Sequence, residues 1–109
     1  MKAVVYAASG AVTVTSVPDP VCSDPADAVV KVERAGICGT DLHLISDGHG
    51  LTAGNVMGHE FVGVVTDVGA AVRGLRIGDR VAGADFTACG SCWWGRAGAQ
   101  WGGEHKSFF

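Results

Sequence analysis

Cys38 and His59 stand twenty-one residues apart in the stretches "GICGTDLH" and "MGHEFVG". A thiolate and an imidazole are the donor types that suit zinc, a borderline-soft ion. Taken singly, each has a plainer use, since a buried Cys packs as a small residue and a lone His is commonly structural. A second thiol pair, Cys89 and Cys92, has C-x-x-C spacing and can grip one side of a metal, but the run from Trp93 to Gly103 supplies no further Cys. Glu104 and His105 follow as replacement donors. Cys22, beside prolines, needs no role beyond packing, and His49 between two glycines reads as a solvated loop residue.

Other site chemistries fail on spacing. A zinc-protease motif needs a second His four residues after the first on a helix, but residue 63 is Gly and the run is strand-like. The glycines of "GHGLTAG" (Gly48 to Gly54) lack the dinucleotide fingerprint's spacing and its strand-turn-helix frame. The C-x-x-C pair has no βαβ setting of the thioredoxin kind.

The elements that must position these residues are short and mostly extended. "KAVVYA" (Lys2 to Ala7), "AVTVTSV" (Ala11 to Val17) and "DAVVKVERA" (Asp27 to Ala35) carry β-branched residues with period-two alternation. Pro18 to Pro25 is a loop. In "CGTDLHLISDGHG" the pattern changes to one short helix, with Thr40 as its cap and "DGHG" as its stop. "HEFVGVVTDVG" (His59 to Gly69) is a long apolar strand, and "GLRIGDRVAGA" (Gly74 to Ala84) is a turn feeding another. About six short strands with Gly-rich turns favour a small barrel over a layered α/β sheet. From Ala88 the chain turns to Trp, Gly and Cys without a period, and it ends on "SFF", whose aromatics call for something to cover them.

Composition narrows the functional classes. With 109 residues, 48% of them hydrophobic and 17% charged, the chain has the size and balance of one folded domain. Its net charge of −3 is scattered without runs, so nucleic acid is not an expected partner. No apolar run has the length to cross a bilayer. The opening "MKAVVYAASG" mimics a signal peptide, but its apolar stretch from Ala3 to Ala8 is too short, which leads us to expect a cytoplasmic protein with reduced thiols.

In order and spacing, "GICGTDLH", "MGHEFVGVV" and "GDRV" resemble the N-terminal GroES-like catalytic domain of the zinc-dependent medium-chain alcohol dehydrogenases. The likeness covers essentially the whole chain and is nearest to the formaldehyde, threonine and polyol dehydrogenase-like branch. It implies a mainly β fold over residues 1–109: a GroES-like small β-barrel with a short helix and a Cys/Trp/Gly-rich lobe at its C-terminal end. It further implies that Cys38 and His59 are ligands of a catalytic Zn2+, that Glu60 approaches the metal during ligand exchange, and that Asp41 fixes the tautomer of His59. Thr40 would take the alcohol's proton and His43 would pass it to solvent. Zinc as a Lewis acid favours the alkoxide, from which hydride leaves to a nicotinamide.

The resemblance places a third zinc ligand and the NAD or NADP domain beyond residue 109, so the nucleotide-binding domain is expected to be absent from this chain. It makes Cys89 and Cys92 the start of a structural zinc lobe spanning residues 88–105, whose third and fourth Cys fall where Gly95 and Gly103 stand, so the lobe is degenerate. Two functions follow: the catalytic portion of an NAD(P)-linked alcohol dehydrogenase acting on a small alcohol or aldehyde, incomplete as this chain, or a non-catalytic solitary barrel that binds zinc weakly or not at all. A zinc-free quinone-reductase-like relative would not need Cys38, His59 and Glu60. In either function, an apolar face left exposed would make the chain self-associate.

Overall fold

The structure, a computed structural model, describes residues 1–7, 10–48, 50–103 and 107–108, the last two as backbone only. His49, Glu104 and His105 lie outside the described residues. The order of elements is β1 (Lys2–Ala7), β2 (Ala11–Ser16), β3 (Ala28–Ala35), α1 (Gly39–Asp47), β4 (Phe61–Val68), β5 (Arg80–Ala82), β6 (Phe86–Thr87), α2 (Trp93–Arg96) and β7 (Ser107–Phe108), with a 3-10 turn at Gln100–Gly102 before the last. The chain is mainly β, as its alternating Val and Thr residues require. No helix among the described residues is long and apolar enough to cross a membrane.

Every strand pair is antiparallel. β1 pairs with β2, β3 with β4 and β4 with β5, and β6 with β7. One correction to the expected barrel is needed. Among the described residues the ladders remain three separate sheets, joined to the loop before His59 by the single bridge Val5 to Val56, and do not close into one hydrogen-bonded ring. The two interior register shifts of β3 against β4, between Val29 and Val30 and between Val32 and Arg34, bend that pair as bulges do.

The apolar centre is small: Val5, Tyr6 and Val65 are its buried members, and Asp41 and His59 are buried with them. β4 enters this centre through close backbone packing at Gly63, where a Cβ would lie 2.3 Å from the Lys31 carbonyl oxygen on β3. The "GDRV" stretch is the end of a turn, at Gly78 and Asp79, leading into β5 at Arg80 and Val81. The Asp79 carboxylate accepts the Arg76 N–H at 2.8 Å, and the Asp79 carbonyl accepts from Val65 at 2.9 Å, aligning β5 beside β4.

The C-terminal lobe departs from the expectation of a single helix. Cys92 caps the four-residue α2, its Sγ accepting the Gly95 N–H at 3.4 Å. Trp93 and Trp94 meet edge to face with centroids 4.9 Å apart, and Trp94 lies 6.5 Å from Trp101. Aromatic packing gives this segment an order that no hydrophobic period announces.

Candidate metal centre

Two segments distant in sequence converge because β3 and β4 are antiparallel neighbours. Ala35, the last residue of β3, faces Phe61, the first of β4, and the ladder runs one step further as the Gly36 N–H donates to the Glu60 carbonyl at 2.9 Å. The end of β3 therefore lies beside the start of β4, and Cys38 comes alongside His59 and Glu60. The intervening loop is fixed to β1: Tyr6 donates to Asn55 at 2.8 Å, Gly54 to Tyr6 at 3.0 Å and Met57 to Val4 at 2.8 Å. Gly58, at φ +103°, makes the turn that delivers His59, in a region of backbone space that favours glycine.

One ligand atom from each of Cys38, His59 and Glu60 lies within 4.8 Å of the others. His59 is buried, Cys38 half-buried and Glu60 exposed, so the cluster has a closed inner side and an open outer one. Glu60 reaches it across Gly36, where a Cβ would come 2.5 Å from Glu60 Oε2. Sequence reasoning missed Gly36; its only signal was a glycine two residues ahead of the candidate ligand.

The start of α1 overturns one expectation. The cap is Cys38, not Thr40, which stands inside the first turn. Cys38 Sγ accepts the Thr40 N–H at 3.5 Å, and the Asp41 carboxylate reaches back to accept the Cys38 N–H at 2.8 Å, a reciprocal capping box. Thiols are unusual caps, so the polar Thr was the natural choice from sequence. α1 ends at Gly48, left-handed at φ 65°, whose N–H donates to the Leu44 carbonyl.

Asp41 Oδ1 stands 3.6 Å from His59 Nδ1, wider than a hydrogen bond, and is buried without any hydrogen-bond partner. An orphaned carboxylate oxygen aimed at an imidazole matches the outer partner of a metal-bound His, the place the resemblance gave Asp41. Thr40 Oγ1 lies 3.6 Å from Cys38 Sγ, and His43, exposed, follows on α1 at the i+3 position of the same helix face.

Hydrogen bonds from the Thr40 backbone, then His59, then the Thr40 side chain hold the Cys38 thiol below its ordinary pKa. The His59 imidazole is held above its usual value chiefly by its hydrogen bond with Cys38, against the opposing effect of burial. With an orphaned carboxylate behind the imidazole, this sulfur, nitrogen and oxygen set fits zinc.

The other expected residues lie elsewhere. Cys89 and Cys92 share the lobe, and hydrogen bonding led by the Ser91 side chain and then the Cys92 backbone pulls the Cys89 thiol down to about 6. Cys22 is half-buried and donates to the Asp27 carbonyl at 3.7 Å, as a packing residue would.

A β-rich scaffold thus gathers a thiol, an imidazole and a carboxylate at the mouth of one antiparallel pair, a donor set that could hold a metal ion. The family model described as "Alcohol dehydrogenase GroES-like domain" matches residues 24–105, and the chain belongs to that family. It is 43% identical over 88 residues to an L-threonine 3-dehydrogenase of Marinomonas sp., covering 77% of this chain and 26% of that protein. It is 40% identical over 98 residues to the zinc-type alcohol dehydrogenase B of Aspergillus flavus, covering 90% and 23%. Among solved structures, the alcohol dehydrogenase TADH from Thermus sp. ATN1 superposes with a TM-score of 0.91 at 40% identity, over 100% of this chain and 32% of that one. The chain thus spans about a quarter to a third of the length of these relatives.

Proposed function

We propose that this chain is the metal-holding catalytic portion of a zinc-dependent, NAD(P)-linked alcohol dehydrogenase, working in a reducing, cytoplasmic setting on a small alcohol or aldehyde. The observation that carries the reading is the approach of Cys38, His59 and Glu60 donor atoms to within 4.8 Å. These three residues would hold the ion, which supplies Lewis-acid polarisation of the alcohol oxygen. The residues around it do the rest. Asp41 holds the orientation of His59 from its buried side. Thr40, beside the thiol on the exposed first turn of α1, accepts the hydroxyl proton, and His43 one turn on passes it to water. A dinucleotide would be held by a nucleotide-binding domain outside residues 1–109 and would supply the hydride acceptor.

The test is metal content. The purified chain should hold one tightly bound zinc that Cys38→Ala removes and Cys89→Ala leaves in place. If the unaltered chain holds no zinc, the reading is wrong. The rival, a non-catalytic barrel, draws on glycine at positions 95 and 103. Alcohol oxidation by the chain with added NAD would exclude it.

A further inference from the structure

The lobe around Cys89 and Cys92 is not absorbed by that function. The backbone already fills the room a third thiol would need: a Cβ at Gly95 would lie 2.9 Å from Gly90 Cα and 3.0 Å from its carbonyl carbon. At Gly103 a Cβ would point to within 3.8 Å of Cys92 Sγ, so the fourth donor's approach is met by bare glycine. Among the described residues of the lobe, what remains is two thiols three positions apart across Gly90, whose left-handed φ of +66° turns the backbone between them, with Cys89 exposed and Cys92 half-buried at the cap of α2. The other two thiols are engaged elsewhere, Cys38 with Thr40 and Cys22 with the Asp27 carbonyl.

We infer that Cys89 and Cys92 form a reversible dithiol–disulfide site that exchanges with low-molecular-weight disulfides. The exposed Cys89 thiolate attacks one sulfur of the small disulfide, whose other half leaves as a thiol, and a mixed disulfide forms on Cys89. The Cys92 thiolate then attacks Cys89 Sγ, closing the internal bond and expelling the second half. The protein dithiol loses two electrons and two protons, and one small disulfide becomes two small thiols. An excess of small thiol runs the steps backwards. The site is separate from the zinc reading, and neither depends on the other.

The experiment equilibrates the full chain in graded ratios of reduced to oxidised glutathione, quenches with acid, alkylates and maps tryptic peptides by mass. The peptide Val81 to Arg96 contains both thiols. As the oxidised form rises, this peptide should lose both alkyl groups and become lighter by two hydrogens, while Cys22 and Cys38 stay alkylated. Cys92→Ser should stop at one glutathione held on Cys89, and Cys89→Ser should abolish the linked form. Three results would overturn the inference: both thiols alkylated at every ratio, glutathione persisting on Cys89 in the unaltered chain, or a tightly bound zinc lost with Cys89→Ser but kept with Cys38→Ser.

Discussion

Single residues in this site carry two tasks at once. Asp41 receives the cap N–H of Cys38 through one oxygen and faces His59 with the other. Asp41→Asn retains an oxygen able to accept the cap bond but loses the charge behind the imidazole. Zinc affinity should fall by about 10–100-fold, the usual cost of losing an outer partner, with little change in thermal stability; equilibrium dialysis alongside a melt checks both. Acidity gives a second expectation. Zinc needs a neutral imidazole and a thiolate. The lowered Cys38 thiol surrenders its proton readily, whereas the raised His59 keeps its own above the ordinary value. Affinity should therefore climb as pH rises until both the His59 imidazole and the Cys38 thiol have given up their protons; a competition titration across neutral pH reads this, and a flat profile would contradict it. In the chain without metal the sign is opposite for His59. Its raised value contributes stability that is full below the unfolded pKa and is lost as pH rises through the folded one.

At the scale of elements, the site depends on β3 and β4 lying close. Gly63 faces Val32 across that pair and leaves no space for a methyl group against the Lys31 carbonyl. Gly63→Ala should cost about 1–3 kcal/mol by overpacking and weaken zinc binding without touching a ligand; a denaturant titration and a metal assay on the same variant test this. The strands were legible in the sequence where alternation was clean: β1 is bounded as expected, and β3 and β4 differ only at their ends. Cys38 and His59 were legible through their donor chemistry and their company. Three features were not. Cys38 as a cap was hidden because a sulfur acceptor is rare in that position. The reach of Glu60 over Gly36 depends on an absent side chain, which no periodicity records. The order of the lobe from Cys89 onward comes from edge-to-face and tilted indole contacts and tight glycines, neither of which leaves a repeat.

For the whole molecule, the small buried centre leaves much apolar surface outside. Val4, Val12, Val14 and Ile37, exposed by 43%, 41%, 66% and 83%, surround a cleft of about 420 Å³ next to α1. A contiguous face of this kind favours contact with other apolar surface. The chain should associate in a concentration-dependent way in sedimentation and bind hydrophobic dye; a monomer at high concentration that binds no dye would count against this.

The distribution of indoles carries a consequence for following the protein by light. All three tryptophans fall between Trp93 and Trp101, outside the strands β3 and β4 whose ends bring Cys38 and His59 together. Intrinsic emission therefore watches one corner of the chain, while far-ultraviolet dichroism watches the strands. Heating curves recorded in the two ways should separate if the corner loosens first, and the gap between them would measure how far the thiol lobe and the ligand cluster behave as independent cooperative units.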